Sequence, residues 1–79
     1  MNTEAVRALK DIITALHEES ADREELSRRF KEIAEEVTSV EIAAAEQAAI
    51  EAGVPVESVR RLCDVHLDMF VYDARSGRA

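Results

Sequence analysis

Apolar side chains recur every three or four residues along four successive stretches of the chain, which is the spacing of one face of an α-helix. The pattern predicts four amphipathic helices, over residues 3–19, 23–36, 39–52 and 55–73. Their stripes are formed by Val6, Leu9, Ile13 and Leu16; by Leu26, Phe30, Ile33 and Val37; by Ile42, Ala45, Ala49 and Ile50; and by Val56, Val59, Leu62, Cys63, His66, Met69 and Phe70.

Residues that favour helix ends stand between these stretches. Asp22 with Glu25, and Thr38 with Glu41, have the spacing of a capping box, in which each residue satisfies a free backbone N–H of the first turn. Gly53 is placed to end the third helix, because glycine adopts the left-handed conformation that commonly follows a helix. The ends therefore support the helices that the apolar spacing predicts.

Short connections between the helices favour a compact all-α four-helix domain, because loops of about two to five residues hold successive helices side by side. A chain of 79 residues has room for one such domain. We assign the domain to residues 1–74 and a disordered tail to residues 75–79, which carry no apolar stripe. The third helix is rich in alanine, and its small side chains also suggest a homodimer through this face.

Acidic residues dominate the charge: seventeen Asp and Glu against ten Lys and Arg give a net charge of −7. This charge repels nucleic acid and anionic membranes. No apolar run approaches the about 18 residues of a membrane span, and the N-terminus lacks the features of a signal peptide. The single cysteine, Cys63, agrees with a reducing compartment. The composition predicts a cytoplasmic protein that binds neither nucleic acid nor membrane.

The residues with the most distinctive chemistry are two histidines and the cysteine. Cys63 and His66 are three residues apart on the apolar face of the fourth helix, so they are neighbours on that helix. His17 flanks the stripe of the first helix, and packing of the first helix against the fourth would bring it towards that pair. These three residues are the candidate ligands of a metal or cofactor.

Iron or haem fits this set better than zinc does. A closed zinc site takes four ligands, whereas one axial His or Cys in an apolar helical pocket can hold haem iron. The alternative is that there is no cofactor and that Cys63 and His66 belong to the core, where free cysteine is common. An enzyme is not predicted, because Asp64 and Asp68 diverge from the face of Cys63 and His66 towards solvent.

Two pairs of basic residues, Arg28-Arg29 and Arg60-Arg61, are candidate anion contacts. Each pair lies among acids, with Glu25 and Glu32 near the first and Glu57 and Asp64 near the second. Ion pairing along the helix surface is therefore the favoured prediction for both pairs.

Several runs of this sequence resemble the bacterial domain-of-unknown-function 438 family. The most specific run is Leu62-Cys63-Asp64-Val65-His66, which follows the turn Gly53-Val54-Pro55. The resemblance implies a helical domain that usually stands N-terminal to a hemerythrin-like cation-binding domain, often with a PAS sensor domain beyond it. It also maps the family's Leu-His and Cys-Asp-Val-His elements onto His17, Cys63 and His66.

These observations predict a small non-enzymatic regulatory or sensory module. It would bind iron or haem through His17, Cys63 and His66, and a protein partner, such as a hemerythrin-like or sensor domain, would respond to the bound state. The alternative is a ligand-free structural or protein-interaction domain in which Cys63 and His66 are core residues.

Overall fold

Four α-helices follow one another along the chain: α1 (Thr3–Glu18), α2 (Arg23–Ala34), α3 (Ser39–Glu51) and α4 (Val56–Leu67). The computed structural model describes residues 2–19, 22–68 and 70–72. Within these ranges there is no strand, and none of the helices is long and apolar enough to cross a membrane. The predicted all-α four-helix fold is confirmed, while the tail predicted at residues 75–79 lies outside the described residues.

α1 lies at the centre of the domain and contacts the other three helices, most extensively α3. Ala45 and Ala49 of α3 are fully buried, and their small side chains let the two helices approach closely. Phe30 from α2 is the largest fully buried side chain. The core consists of Leu9, Ile12, Ile13, Leu16, Leu26, Phe30, Ile42, Ala45, Ala49, Val54, Val59, Leu62 and Cys63.

The predicted capping box at the start of α3 is present and also fastens α1. The N–H of Thr38 donates to Oε1 of Glu41 at 2.9 Å, and the N–H of Glu41 donates to Oγ1 of Thr38 at 3.3 Å. The other carboxylate oxygen of Glu41 accepts the N–H of Asn2, whose own side chain caps α1. One carboxylate thus joins the first turns of two helices. At the start of α2, Asp22 caps the N–H of Glu24.

The carboxylate of Glu41 should make stability depend on pH. The backbone donors of Thr38 and then Asn2 hold its pKa below the ordinary value of 4.5. The contribution of Glu41 to stability is therefore complete at pH values above its pKa in the unfolded state. It is lost as the pH falls through the lower pKa of the folded state. We expect Glu41→Gln to remove this part of the acid sensitivity, measured as urea midpoints between pH 6 and pH 3. Glu36→Gln, at an exposed position, is the control. Equal acid sensitivity of Glu41→Gln and the wild type would exclude this role.

Gly53 makes the turn between α3 and α4 in a conformation with φ of +115°. A side chain disfavours this region, although no atom lies within 4 Å of the position that a Cβ would take. We expect Gly53→Ala to lower the free energy of unfolding by about 1–2 kcal/mol through backbone strain. Glu19→Gly is the reverse case, because Glu19 ends α1 with φ of 53°, and it should raise stability. Urea unfolding measures both, and equal midpoints for Gly53→Ala and the wild type would refute the argument.

α4 ends at Leu67, well before the predicted residue 73. Asp68 adopts the left-handed conformation with φ of 59°, and residues 70–72 are not helical. The backbone N–H groups of Val71 and Tyr72 donate to the side chain of Glu46 on α3 instead of to carbonyls of their own helix. The apolar spacing predicts a helix beyond the true end of α4, because the spacing carries no information about a hydrogen-bond acceptor on another helix.

Candidate functional site

The three predicted ligand residues lie in different surroundings. Cys63 is fully buried and interacts with α3, whereas His66, one turn later, is 8% exposed and interacts with α2. His17 is exposed in the last turn of α1. Among the described residues there is no group of three His, Cys, Asp or Glu side chains that could hold a metal ion. A metal ion bound among the described residues would therefore have fewer than three such side chains as ligands.

The imidazole of His66 links α4 to α2 through one of its two nitrogens. Nδ1 lies 2.7 Å from Oγ of Ser27. Nε2 is also buried, but it has no hydrogen-bond partner within the described part of the chain. A buried polar atom without a partner costs about 1–3 kcal/mol and calls for a physical explanation. The free nitrogen of His66 is such an atom, and a ligand would supply the missing partner.

His66 borders a groove of about 530 Å³ that runs along α2. The groove is bounded largely by the aliphatic parts of long charged side chains, which can rearrange around a guest. His66 comes from α4, and the remaining lining residues are Arg23, Glu24, Ser27, Arg28, Lys31, Glu32 and Glu35 of α2. An open, adjustable groove thus lies beside the imidazole.

The surroundings of His66 favour its neutral form. Burial lowers the pKa of its imidazole, and the positive charges of Arg23 and Lys31 lower it further. A neutral imidazole carries a proton on one nitrogen and a lone pair on the other. If Nδ1–H donates to Ser27, the lone pair is on Nε2, and neutral imidazole with this lone pair is the form that binds metals.

Cys63 takes part in a second polar contact, which joins α4 to α3. Its thiol lies beside the side chain of Glu46, a residue with 0% exposure. The carboxyl group of Glu46 also accepts the N–H of Val71 at 3.1 Å and the N–H of Tyr72. Burial raises the pKa of Glu46, although these hydrogen bonds lower it in part. Two backbone donors therefore converge on one buried carboxyl group, with the thiol of Cys63 beside it.

The thiol of Cys63 is held in its protonated form. Burial and then the neighbouring side chain of Glu46 raise its pKa far above the usual range of a cysteine. A thiolate is the form that attacks electrophiles and binds metals. Cys63 in these surroundings is therefore a core residue with a protonated thiol, and it is poorly suited to either chemistry.

The apolar spacing does not identify Glu46 or Ser27 as polar partners of the fourth helix. Glu46 stands four residues after Ile42 and three before Ala49, so its position belongs to the buried stripe of α3. A charged residue at a core position indicates a buried polar partner. The position of Glu46 in the buried stripe of α3 is therefore the sequence signal for this contact. The sequence signal for Ser27 is weaker, since Ser27 only adjoins the stripe residue Leu26. In the structure it is half-buried.

His17 lines a different cavity, of about 280 Å³, at the end of α1. Arg61 and Ser58 of α4 and Arg23 of α2 also line it. Arg23 borders both this cavity and the groove beside His66. The two histidines therefore belong to separate sites on the two sides of Arg23.

The sequence of the domain matches a known family over most of its length. No curated protein and no solved structure matches the chain significantly. Residues 9–74 match the family described as "Family of unknown function (DUF438)". The matched span includes Cys63, His66, Glu46 and Ser27, and it runs from the middle of α1 past the end of α4. The chain belongs to the DUF438 family.

Proposed function

We propose that the domain is a small non-enzymatic regulatory module that binds haem in the groove between α2 and α4, with Nε2 of His66 as the ligand of the iron. The observation that carries this proposal is the buried Nε2 without a hydrogen-bond partner on His66, a residue that lines the groove. The contact between Nδ1 and Ser27 supports it, because a partner at one ring nitrogen fixes the ring and leaves the other nitrogen for a metal.

The number of protein ligands favours haem over a bare metal ion. Haem iron needs only one axial protein ligand, whereas zinc takes three or four. Three basic side chains (Arg23, Arg28 and Lys31) and three acidic ones (Glu24, Glu32 and Glu35) line the groove beside the single imidazole. Arg23 and Lys31 can pair with the carboxylate groups that haem carries.

This proposal uses one of the three ligands that the sequence suggested. Cys63 is assigned to the core, because its protonated thiol lies beside Glu46 on the side of α4 that meets α3. His17 is assigned to the separate cavity at the end of α1. The haem ligand is then His66 alone, supported by Ser27.

Ligand binding at His66 would act on the packing of α2 against α4. Nδ1 of His66 and Oγ of Ser27 form a direct polar contact between these helices. Haem held by His66 would supply a centre that responds to redox state or a gas, and a shift of the imidazole would pass to α2 through Ser27. We propose that a protein partner, such as the hemerythrin-like or sensor domain that the family resemblance implies, detects this change in the cytoplasm.

The proposal is tested by titrating the chain with ferric haem and following its absorbance. The wild type should saturate at one equivalent, and His66→Gly should lose the spectrum of the nitrogen-ligated iron. Free imidazole should restore that spectrum in His66→Gly, because it can occupy the space that the side chain leaves. His17→Ala is the control and should bind as the wild type does. Equal spectra for His66→Gly and the wild type would overturn the assignment of the ligand.

The second candidate is a ligand-free interaction domain. It is favoured by the complete burial of Cys63 and its place beside Glu46, which give the thiol a purely structural role. This candidate requires that haem produce no saturable change in absorbance. It also requires that iron chelators leave the thermal midpoint of the purified protein unchanged.

A further inference from the structure

A second cavity, of about 280 Å³, lies where the end of α1, the start of α2 and one side of α4 meet. It is separate from the groove at His66, although Arg23 borders both. Its lining residues are Leu16, His17, Glu19, Arg23, Ser58, Arg61 and Leu62. Polar and basic groups therefore surround most of a small recess.

Basic side chains converge on this cavity from three helices. His17 comes from the last turn of α1, Arg23 is the first residue of α2, and Arg61 comes from the middle of α4. The convergence is unexpected in a chain with a net charge of −7 and only ten Lys and Arg residues. Glu19 is the acidic residue of the lining.

The two arginines of the cavity have no counter-ion in the described part of the protein. Arg28 forms the predicted ion pairs, with Glu25 at 3.9 Å and Glu32 at 3.4 Å. Arg61 was predicted to pair along α4 in the same way, but neither it nor Arg23 pairs with a carboxylate among the described residues. The prediction of ion pairing therefore fails for Arg61, and it fails likewise for Arg29 and Arg60 among the described residues. Arg61 lines the cavity with His17 and Arg23.

We propose that this cavity binds a small oxyanion of the phosphate class. The planar guanidinium groups of Arg23 and Arg61 can each donate two parallel hydrogen bonds to phosphate oxygens. The hydroxyl of Ser58 and the imidazole of His17 supply further donors. An anion would also relieve the repulsion between basic groups that share one recess.

The size of the cavity and the charge of the protein restrict the source of this anion. A recess of about 280 Å³ holds a phosphate ion or the phosphoryl end of a small molecule. The overall charge of −7 opposes the approach of a polyanion such as nucleic acid. The recognised chemistry is thus a phosphoryl group, either free or carried by a small ester.

The test is a titration of the full chain with inorganic phosphate, followed by NMR of the backbone and arginine side-chain N–H groups. Sodium chloride keeps the ionic strength constant. We expect saturable shifts at Arg23, Ser58 and Arg61, and binding about tenfold weaker in Arg61→Ala. Arg60→Ala is the matched control, because Arg60 is exposed on the same helix and does not line the cavity. It should bind phosphate as the wild type does.

Methyl phosphate distinguishes the two sources of the phosphoryl group. Affinity for methyl phosphate equal to that for inorganic phosphate shows that the recess accepts a monoester, and much weaker binding restricts it to the free ion; both results retain the site. Shifts that do not saturate, or that chloride alone reproduces, would overturn the proposal. So would equal phosphate affinity of Arg61→Ala and the wild type. The haem titration of Arg61→Ala should be unchanged, so this test is independent of the proposed function.

Discussion

Glu46→Ala is expected to lower the free energy of unfolding by about 1–3 kcal/mol, because two partly buried donors lose their acceptor together. These donors are the backbone N–H groups of Val71 and Tyr72, and the thiol of Cys63 lies beside the same carboxyl group. Removal of a carboxyl group that is costly to bury offsets part of the loss, as the raised pKa of Glu46 indicates. The lost hydrogen bonds outweigh this gain, since two N–H groups lose their acceptor at once.

Urea unfolding measures the total loss, and hydrogen exchange locates it. The amide protons of Val71 and Tyr72 should exchange much faster in Glu46→Ala, while Glu46→Gln should be intermediate because its carbonyl oxygen still accepts. Gln47→Ala, at the next and exposed position, is the control and should change stability by less than about 0.5 kcal/mol. Unchanged exchange at Val71 and Tyr72 would mean that Glu46 does not hold this segment.

His66→Leu is expected to leave the ligand-free domain about as stable as the wild type, within about 1 kcal/mol, while haem affinity falls at least about a hundredfold. The change removes the contact with Ser27 but also removes the buried nitrogen that lacks a partner. These two effects have opposite signs and similar size. Replacement of a residue that binds a ligand but does not stabilise the core should lower the affinity for the ligand and leave the stability unchanged.

Ser27→Ala is the companion variant for His66→Leu. It removes the hydroxyl that contacts Nδ1 and leaves the imidazole in place. Loss of such a supporting partner typically weakens metal binding by about 10–100-fold, so this variant should lie between the wild type and His66→Leu. A loss of more than about 2 kcal/mol in ligand-free His66→Leu would instead identify His66 as a core residue, as the ligand-free alternative requires.

The helices could be predicted from the sequence because their information is local. Apolar spacing and capping residues such as Thr38 act within one or two turns, and both are visible in a single chain. The end of α4 could not be predicted in this way. α4 ends before Asp68, which adopts the left-handed conformation. The segment after it is held by Glu46, which lies 25 residues before Val71 and reaches it only in the folded protein.

The candidate site was predicted in part, for a geometric reason. Cys63 and His66 are three residues apart, which places their side chains about 60° apart around α4. The spacing makes them neighbours, but that angle is enough to direct one towards α3 and the other towards α2. The residues that they contact, Glu46 and Ser27, are determined by how the helices pack. The spacing along one helix carries no information about that packing.

The identity of the nitrogen bound to iron is the most direct test of the central proposal. Pulsed electron paramagnetic resonance of the ferric haem complex, with ¹⁵N only in histidine, detects an imidazole nitrogen on the iron. We expect one such coupling in the wild type and in His17→Ala, and its loss in His66→Leu. Absence of a histidine coupling in the wild type, or its persistence in His66→Leu, would contradict the proposal.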